Sequence, residues 1–388
     1  NLKGKQCFSP NCHKNKSRTF IFGTMTVREI TSCLETWAPL AYAEDFDNVG
    51  LLVGSHAQKV KKVLIAHDAL EEVIDEAIAE KCELVVCFHP IIFKGLKKLT
   101  DSSYVSRAVT KAIKHDIAIY AIHTALDVQH DGVNAGLANA LELRDRTVIQ
   151  PAKGTIQKLN TYVPNPQLES VQKALFAAGA GAMGHYDECS FTVVGEGGFK
   201  PLEGSKPFVG TSGSRHTAAE IQLQMIFPKH LHSKVIVALL DAHPYETVAY
   251  EITTLENSRS DLGMGCIGAL PKGMQEPDFL KKLKDILGTP FFRHSALLGK
   301  DIKRVAILGG SGSFAIESAM AQGADAYITA DLKYHDFFRA EESCLLVDVG
   351  HYESEQFTKI TIMKHLNENF PNFAFISSKT DTNPVHYF

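Results

Sequence analysis

Short apolar segments alternate with amphipathic helical segments at both ends of this 388-residue chain, and this alternation constrains the fold more than any other feature. Near the beginning, apolar runs at residues 63–66, 84–87 and 117–121 are separated by helical stretches at 71–81 and 104–115. Strand, helix and strand in repetition are typical of a parallel or mixed sheet covered by helices. The pattern therefore predicts an α/β fold.

The end of the chain repeats this pattern. Strands are predicted at residues 305–308, 326–329, 345–349 and 373–377, with helices between them. We expect the two ends of the chain to form one doubly wound main domain, because both contain the same strand and helix alternation.

The middle of the chain has a different rhythm. Strands are predicted at 158–163, 190–196, 220–226 and 250–254, with a helix at 167–179 and a second helix before the last strand. Two such strand–helix–strand units predict a ferredoxin-like α+β module inserted into the main domain. Residues 195–213, rich in Gly, Pro and Ser, are expected to form its long exposed loop.

These patterns divide the chain into three parts. The main domain is predicted at 25–152 and 258–388, the inserted module at 153–257, and a disordered leader at 1–24. The leader is polar and basic and precedes Met25, where the amphipathic pattern begins. Its Cys7, Cys12 and His13 are three potential ligands without a fourth, which does not make a zinc module.

Composition excludes several classes of function. The formal charge is -4 with acids and bases interleaved, so no basic stripe is available for phosphates and nucleic acid is an unlikely partner. The longest apolar runs fall far short of the roughly 20 residues that cross a bilayer, so no membrane segment is predicted. The cysteines lie mostly inside apolar segments, which indicates buried thiols and a reducing cytoplasm.

Polar residues at strand ends are the candidates for chemistry. His89 closes one apolar strand, and the run from His123 to Asp127 closes the next. His351 and Glu355 follow a third strand with helical i, i+4 spacing, which places both side chains on one helix face. Open α/β sheets bind ligands at the carboxyl ends of their strands, and these N and O donors suit zinc, iron or manganese.

Each of these motifs also has a plainer explanation. His89 could be a hydrogen-bonded strand-end residue, and Asp127 could cap a loop or helix. His351 and Glu355 could form an ordinary solvated helix pair. Their occurrence at three strand ends of one sheet favours a site.

Three further features leave alternatives open. The turn from Gly309 to Ser313 could cradle a phosphate, although it lacks the P-loop lysine, or it could be a tight strand-to-helix turn. His335, four residues after Asp331, could be a pocket acid or base or could cap the sheet. His67, beside Asp68, ends a strand on the same side, and a role as a ligand or as a support for a ligand is open.

Several ordered motifs resemble one known family. They are residues 47–54, the Phe88-His89-Pro90 motif, and residues 123–127, 309–312, 328–335 and 350–355. From about Met25 to its C-terminus the chain resembles the NIF-three-like proteins, also called GTP cyclohydrolase I type 2 homologues. The inserted segment, with its motif at 241–250, resembles the PII- or CutA-like domain of longer members, and these members form toroidal hexamers.

The resemblance implies a centre for two metal ions in which one Glu bridges both. The implied ligands of one ion are His89, Asp127 and Glu355, and those of the other ion are His351 and Glu355. Phe88 stands where the family has a further histidine, and it offers no lone pair. We therefore expect one strong divalent site and a weakened second site, with a mononuclear centre, completion by water, or compensation by His67 as the alternatives.

The resemblance implies a metal-dependent hydrolase with an unknown substrate, such as a nucleotide or another small phosphorylated ligand. His335 and His123 are then the candidates for proton transfer. The alternative is a non-catalytic, oligomeric metal-binding or regulatory scaffold, which the loss of a ligand at Phe88 favours.

Overall fold

A computed structural model of the chain describes residues 23–386. The leader predicted at 1–24, with its two cysteines and one histidine, lies outside the described residues apart from its last two positions. The first helix, Val27–Trp37, begins with a capping box in which the Glu29 backbone N–H donates to Thr26 Oγ1 and the Glu29 carboxylate accepts from the Thr26 backbone N–H. This cap places the apolar face of the helix against the sheet behind it.

The first sheet has five strands. In spatial order they are Ala374–Ser377, Lys62–Ala66, Leu84–Cys87, Ala118–Ala121 and Gly50–Val53. The first four are parallel and the last is antiparallel. Helices Val27–Trp37 and Thr358–Asn369 pack on one face, and Glu71–Ala79 and Tyr104–Lys114 pack on the other. Each central strand is buried on both faces, which explains its continuous apolar sequence.

The second sheet has six strands. In spatial order they are Arg293–His294, Leu345–Asp348, Ala326–Ala330, Asp301–Ser311, Gly263–Gln275 and Arg144–Pro151. The second, third and fourth of these run parallel, and the others pair antiparallel. Helices Val133–Ala140 and Glu276–Leu287 cover one face, and Ile316–Ala321 covers the other.

The structure therefore has two sheets where the sequence predicted a single doubly wound one. The chain crosses between them, because Ala374–Ser377 pairs with Lys62–Ala66 in the first sheet and Arg144–Pro151 belongs to the second. Apolar periodicity identifies strands but not their pairing partners, so this exchange could not be read from the pattern.

The middle of the chain forms a separate four-stranded antiparallel sheet. In spatial order its strands are Tyr250–Thr254, Ile156–Pro164, His216–Pro228 and Phe191–Phe199. Helices Leu168–Ala178 and His232–Ala242 pack on one face of this sheet. The strand ending at Phe199 is longer than predicted, so the loop expected at 195–213 begins after that residue instead.

The remaining elements are short. Strands Met25–Thr26 and Lys59–Val60 pair with each other, and short helices lie at His123–Asp127 and His351–Glu355. Turns of 3₁₀ helix lie at Leu40–Tyr42, Asn165–Gln167, Lys229–Leu231, Ser313–Ala315 and Tyr334–Ala340. Within residues 23–386, no helix combines the length and the apolar character needed to cross a membrane.

Candidate metal centre

The carboxyl ends of parallel strands from both sheets meet at one place. His67 directly follows the strand Lys62–Ala66 of the first sheet, and His89 lies two residues beyond the neighbouring strand Leu84–Cys87. His123 begins the short helix after the third strand, Ala118–Ala121. In the second sheet, Asp331 follows Ala326–Ala330, and His351 lies three residues beyond Leu345–Asp348. Polar side chains from distant parts of the sequence are thereby brought into contact.

Glu355 lies at the centre of this cluster. Its Oε2 atom is 3.4 Å from His67 Nε2, 3.3 Å from His89 Nε2 and 3.4 Å from His351 Nε2. Glu355 is 3 % exposed and His67 is equally buried. Three imidazole nitrogens therefore approach one carboxylate oxygen that is shielded from water.

Two imidazoles of the cluster are hydrogen-bonded through Nδ1 to a carboxylate, and the Nδ1 atom of a third lies close to one. The contacts are His89 Nδ1 to Asp68 Oδ1 at 2.8 Å, His351 Nδ1 to Asp331 Oδ2 at 2.7 Å, and His123 Nδ1 to Asp47 Oδ2 at 2.9 Å. Metal-binding histidines are commonly oriented in this way, because the carboxylate fixes the ring and leaves Nε2 free as the donor. The arrangement is typical of a metal site.

The charges of the cluster are strongly coupled. Burial opposes ionisation of Glu355, but its contacts with His67 and His89 and the positive charge of His351 outweigh burial and lower its pKa. Burial also disfavours the charged form of His89, yet the carboxylates of Asp68 and Glu355 raise its pKa to about 10. The imidazole and carboxylate groups of the cluster thus stabilise each other's charged forms.

Asp127 responds to the same charges. Burial raises the pKa of Asp127 well above its ordinary value, and the negative charge of Glu355 raises it further. The negative charge of Glu355 thus acts on Asp127.

The donor atoms fit a divalent ion. Those of His89, His351 and Glu355 lie within 4.8 Å of one another. Bonds of about 2.0–2.2 Å to a tetrahedral ion place its ligands roughly 3.3–3.6 Å apart, which matches the 3.3 and 3.4 Å separations from Glu355 Oε2. Among the described residues, Glu355 Oε2 is also buried without a hydrogen-bond partner, which an ion would supply.

The glycine turn packs directly against Glu355. The Gly309 N–H donates to Asn134 Oδ1 at 2.8 Å, and the Gly310 N–H donates to Ser354 Oγ at 2.9 Å. Gly310 has a φ of +67°, and a Cβ atom there would lie 2.5 Å from Glu355 Oε1. Because two of its amides are already satisfied, the turn is better described as a close-packed support for Glu355 than as a phosphate cradle.

A cavity of about 1000 Å³ opens in front of the cluster. His67, His89 and His351 line its floor, and Arg107 and Arg293 lie in its wall. This volume is at the upper end of the range that small-molecule sites occupy. A ligand of nucleotide size therefore has room beside the candidate metal position.

The predicted proton-transfer residues lie in different surroundings. The His123 ring centroid is 5.1 Å from that of His89, so His123 belongs to the cluster. His335 is exposed, and its ring contacts those of Tyr334 and Phe338. Its role as an acid or base stays a prediction.

Phe88 packs against three histidines of the cluster. It is fully buried, with ring centroids 4.9 Å from His89, 5.3 Å from His123 and 5.5 Å from His67. It fills a position among the imidazoles with a side chain that cannot bind an ion.

Two carboxylates that organise the site could not be assigned from the sequence. Asp47 was noted only as part of the motif at residues 47–54, yet it contacts His123 and also accepts hydrogen bonds from the Thr124 backbone and hydroxyl. Asp331 was noted for its spacing from His335, whereas its partner is His351. Neither pairing has a local sequence signal, because the partners come from different elements of the fold.

Fold and site together define the class: an α/β protein with a buried histidine and carboxylate cluster suited to a divalent ion. Comparison with known families then places it more narrowly. The profile of the Duf34/NIF3 family (NGG1p interacting factor 3) matches residues 25–384, and the chain belongs to this family.

Related proteins are similar in sequence to this protein over nearly the whole chain. A Bacillus subtilis protein named GTP cyclohydrolase 1 type 2 homolog is 39 % identical over 369 residues, covering 93 % of this chain and 98 % of its own length. A Halalkalibacterium halodurans protein of the same name is 37 % identical over 364 residues, covering 92 % and 98 %. The crystal structure of a Bacillus cereus protein related to NIF3 is 36 % identical with a TM-score of 0.76, covering 94 % of this chain and 99 % of that one. The resemblance read from the sequence motifs is thereby confirmed.

Proposed function

We propose that this protein is a divalent-metal-dependent hydrolase that acts on a small phosphorylated or nucleotide substrate. The observation that carries the proposal is the convergence of three imidazole Nε2 atoms on Glu355 Oε2 beneath a nucleotide-sized cavity. The ion is held by His89, Asp127, His351 and Glu355, and these N and O donors suit zinc, iron or manganese. The name of the two bacterial relatives supports a nucleotide as the substrate.

Each residue of the centre has a separate proposed role in catalysis. A bound divalent ion supplies a Lewis acid and lowers the pKa of a coordinated water. His123 is the proposed acceptor of a proton, because its Nδ1 lies 2.9 Å from Asp47 Oδ2 and its ring lies beside that of His89. Contacts with His123 and Thr124 outweigh burial and lower the pKa of Asp47 to about 2, so Asp47 is ionised at neutral pH. His335 remains the second predicted proton-transfer group.

The cavity wall supplies the proposed recognition of an anionic substrate. Arg107 is paired with Glu71, and Arg293 is paired with Asp348, so both guanidinium groups are positioned by carboxylates. Both side chains are also partly exposed, at 44 % and 60 %. A phosphate that enters the cavity would find these donors already oriented.

The second candidate is a non-catalytic metal-binding regulatory scaffold. Phe88 favours it, because a buried ring within the cluster removes a donor that two-ion chemistry would use. In this account residues 153–257 are a PII/CutA-like domain that binds a small ligand. A homohexameric assembly and a cytoplasmic location complete the proposal.

Turnover separates the two candidates. Protein purified without added metal is analysed for metal content and then incubated with guanosine and adenosine nucleotides, with and without Zn²⁺ or Mn²⁺, and products are identified by mass spectrometry. The hydrolase proposal expects metal-dependent turnover that Asp127→Ala abolishes and that Asp285→Ala, an exposed helix position, retains. Metal binding without turnover would favour the scaffold, and absence of metal binding would contradict both.

A further inference from the structure

His67 is an unusual histidine for the interior of a sheet protein. It is 3 % exposed and directly follows the strand Lys62–Ala66. Among the described residues, neither of its ring nitrogens has a hydrogen-bond partner. Burying a polar group without a hydrogen-bond partner is unfavourable, so the unpaired ring of His67 points to a ligand.

The His67 ring is oriented towards Glu355. Its Nε2 atom is directed at Glu355 Oε2 at 3.4 Å, which is long for a hydrogen bond between these groups. The same separation is close to that of two ligands sharing one tetrahedral ion with bonds of about 2.0–2.2 Å. The pair is therefore spaced for a shared cation.

The position of His67 differs from that of the other candidate ligands. The donor atoms of His67, Asp68 and His89 lie within 4.8 Å of one another, and so do those of His89, His351 and Glu355. These two groups overlap at His89 but are not the same set. His67 thus contacts Glu355 without belonging to the group formed by His89, His351 and Glu355.

We propose that His67 is a metal ligand that makes a second divalent-cation position with Glu355, in the part of the cluster where Phe88 provides no donor. Phe88 and His67 are ring neighbours on adjacent strand ends, with centroids 5.5 Å apart. An imidazole from the neighbouring strand therefore reaches the region that the Phe88 ring fills. Asp68 is already engaged by His89 and by the Thr382 hydroxyl, so it supports the site rather than binding the ion.

This inference rests on the proposed metal centre, and its test separates the two. Full-length protein is stripped with a chelator, and Zn²⁺ is titrated against a chromophoric competitor, with bound zinc counted by elemental analysis. The variants are His67→Ala, His67→Gln and the double variant His67→Ala/Phe88→His, which moves the imidazole to the adjacent strand. His115→Ala, an exposed position at the end of a helix, is the control for loss of a histidine.

The expected result is the loss of one zinc equivalent, or a fall in affinity of at least about 100-fold, in both single His67 variants. The double variant should recover most of the loss, and His115→Ala should match the parent. Circular dichroism verifies folding, and if His67→Ala does not fold, His67→Gln and the number of imidazoles per zinc from X-ray absorption of the parent decide the question.

Two results would overturn the inference in distinguishable ways. Parent-like zinc stoichiometry and affinity in the His67 variants, with loss in Glu355→Ala, would leave the metal centre intact and make His67 only a buried partner of Glu355. No zinc binding by the parent itself would remove the proposed centre and this inference together.

Discussion

Gly310→Ala should weaken metal binding in addition to the loss of stability that alanine causes at any left-handed position. Gly310 has a φ of +67°, and a Cβ added there would lie 2.5 Å from Glu355 Oε1 and 3.4 Å from the His351 ring. Real Cβ atoms essentially never approach closer than 3.0 Å, so the carboxylate must move by at least about 0.5 Å. Because that oxygen is the end of a flexible side chain, the clash is relieved by moving Glu355 rather than the backbone.

The left-handed backbone and the displaced Glu355 carboxylate each determine the size of one expected loss. Placing alanine in the left-handed region costs roughly 1–2 kcal/mol in the free energy of unfolding. A binding constellation tolerates displacements of about 0.5 Å before it loses function. We therefore expect zinc affinity to fall at least about tenfold, which corresponds to roughly 1.4 kcal/mol.

Gly323→Ala is the matched control. Gly323 has a φ of +77°, but a Cβ there would meet nothing within 4 Å. Urea unfolding should show a similar loss of stability in both variants, whereas zinc titration should show a loss of affinity only in Gly310→Ala. Equal zinc affinity in the two variants would refute the claim that the glycine turn positions Glu355.

Three other predictions test separate parts of the site. Asp331→Asn should weaken zinc binding about 10- to 100-fold, because it removes the carboxylate that orients the His351 ring. Asparagine is compatible with the positive φ of 56° at this position, so the thermal unfolding midpoint of the metal-free protein should change little. Asp47→Asn should lower the free energy of unfolding by about 2 kcal/mol at pH 7, because the pKa of Asp47 is lowered from 3.8 to about 2 in the folded protein. This difference should shrink as the pH falls from about 4 towards 2, because protonation of Asp47 removes its contribution to stability. A pH-independent difference in urea unfolding would contradict that assignment. Zinc at 100 times its dissociation constant should stabilise the parent by about 2.7 kcal/mol and leave Glu355→Ala unchanged, so a similar stabilisation of both would place the ion elsewhere.

The elements of the fold were largely readable from local patterns. The strand Leu84–Cys87 was predicted with its observed bounds, and Lys62–Ala66 and Tyr104–Lys114 differ from prediction by one residue at one end. The strands are short, continuous apolar runs because both of their faces are buried, and the helix has a clear periodicity because one of its faces packs on the sheet. Pairing depends on contacts between distant segments, which explains why two sheets were not distinguished from one.

The site shows the same division between local and distant information. His351 and Glu355 were paired correctly because both lie on one helical turn, and His89 was identified because it closes a strand. The carboxylates that hold the imidazoles come from other elements, so Asp47 and Asp331 were not assigned to their partners. Sequence spacing identifies candidate ligands that share one element, but it does not identify the carboxylates that the fold brings beside them.

Anomalous diffraction at the zinc edge, on crystals of the full chain grown with Zn²⁺, would show directly whether the cluster binds zinc. We expect a peak about 2.0–2.2 Å from His89 Nε2, His351 Nε2 and Glu355 Oε2, and its absence in Glu355→Ala. A zinc-replete crystal with no peak at this cluster, or a peak that Glu355→Ala retains, would contradict the assignment of these residues as a metal centre.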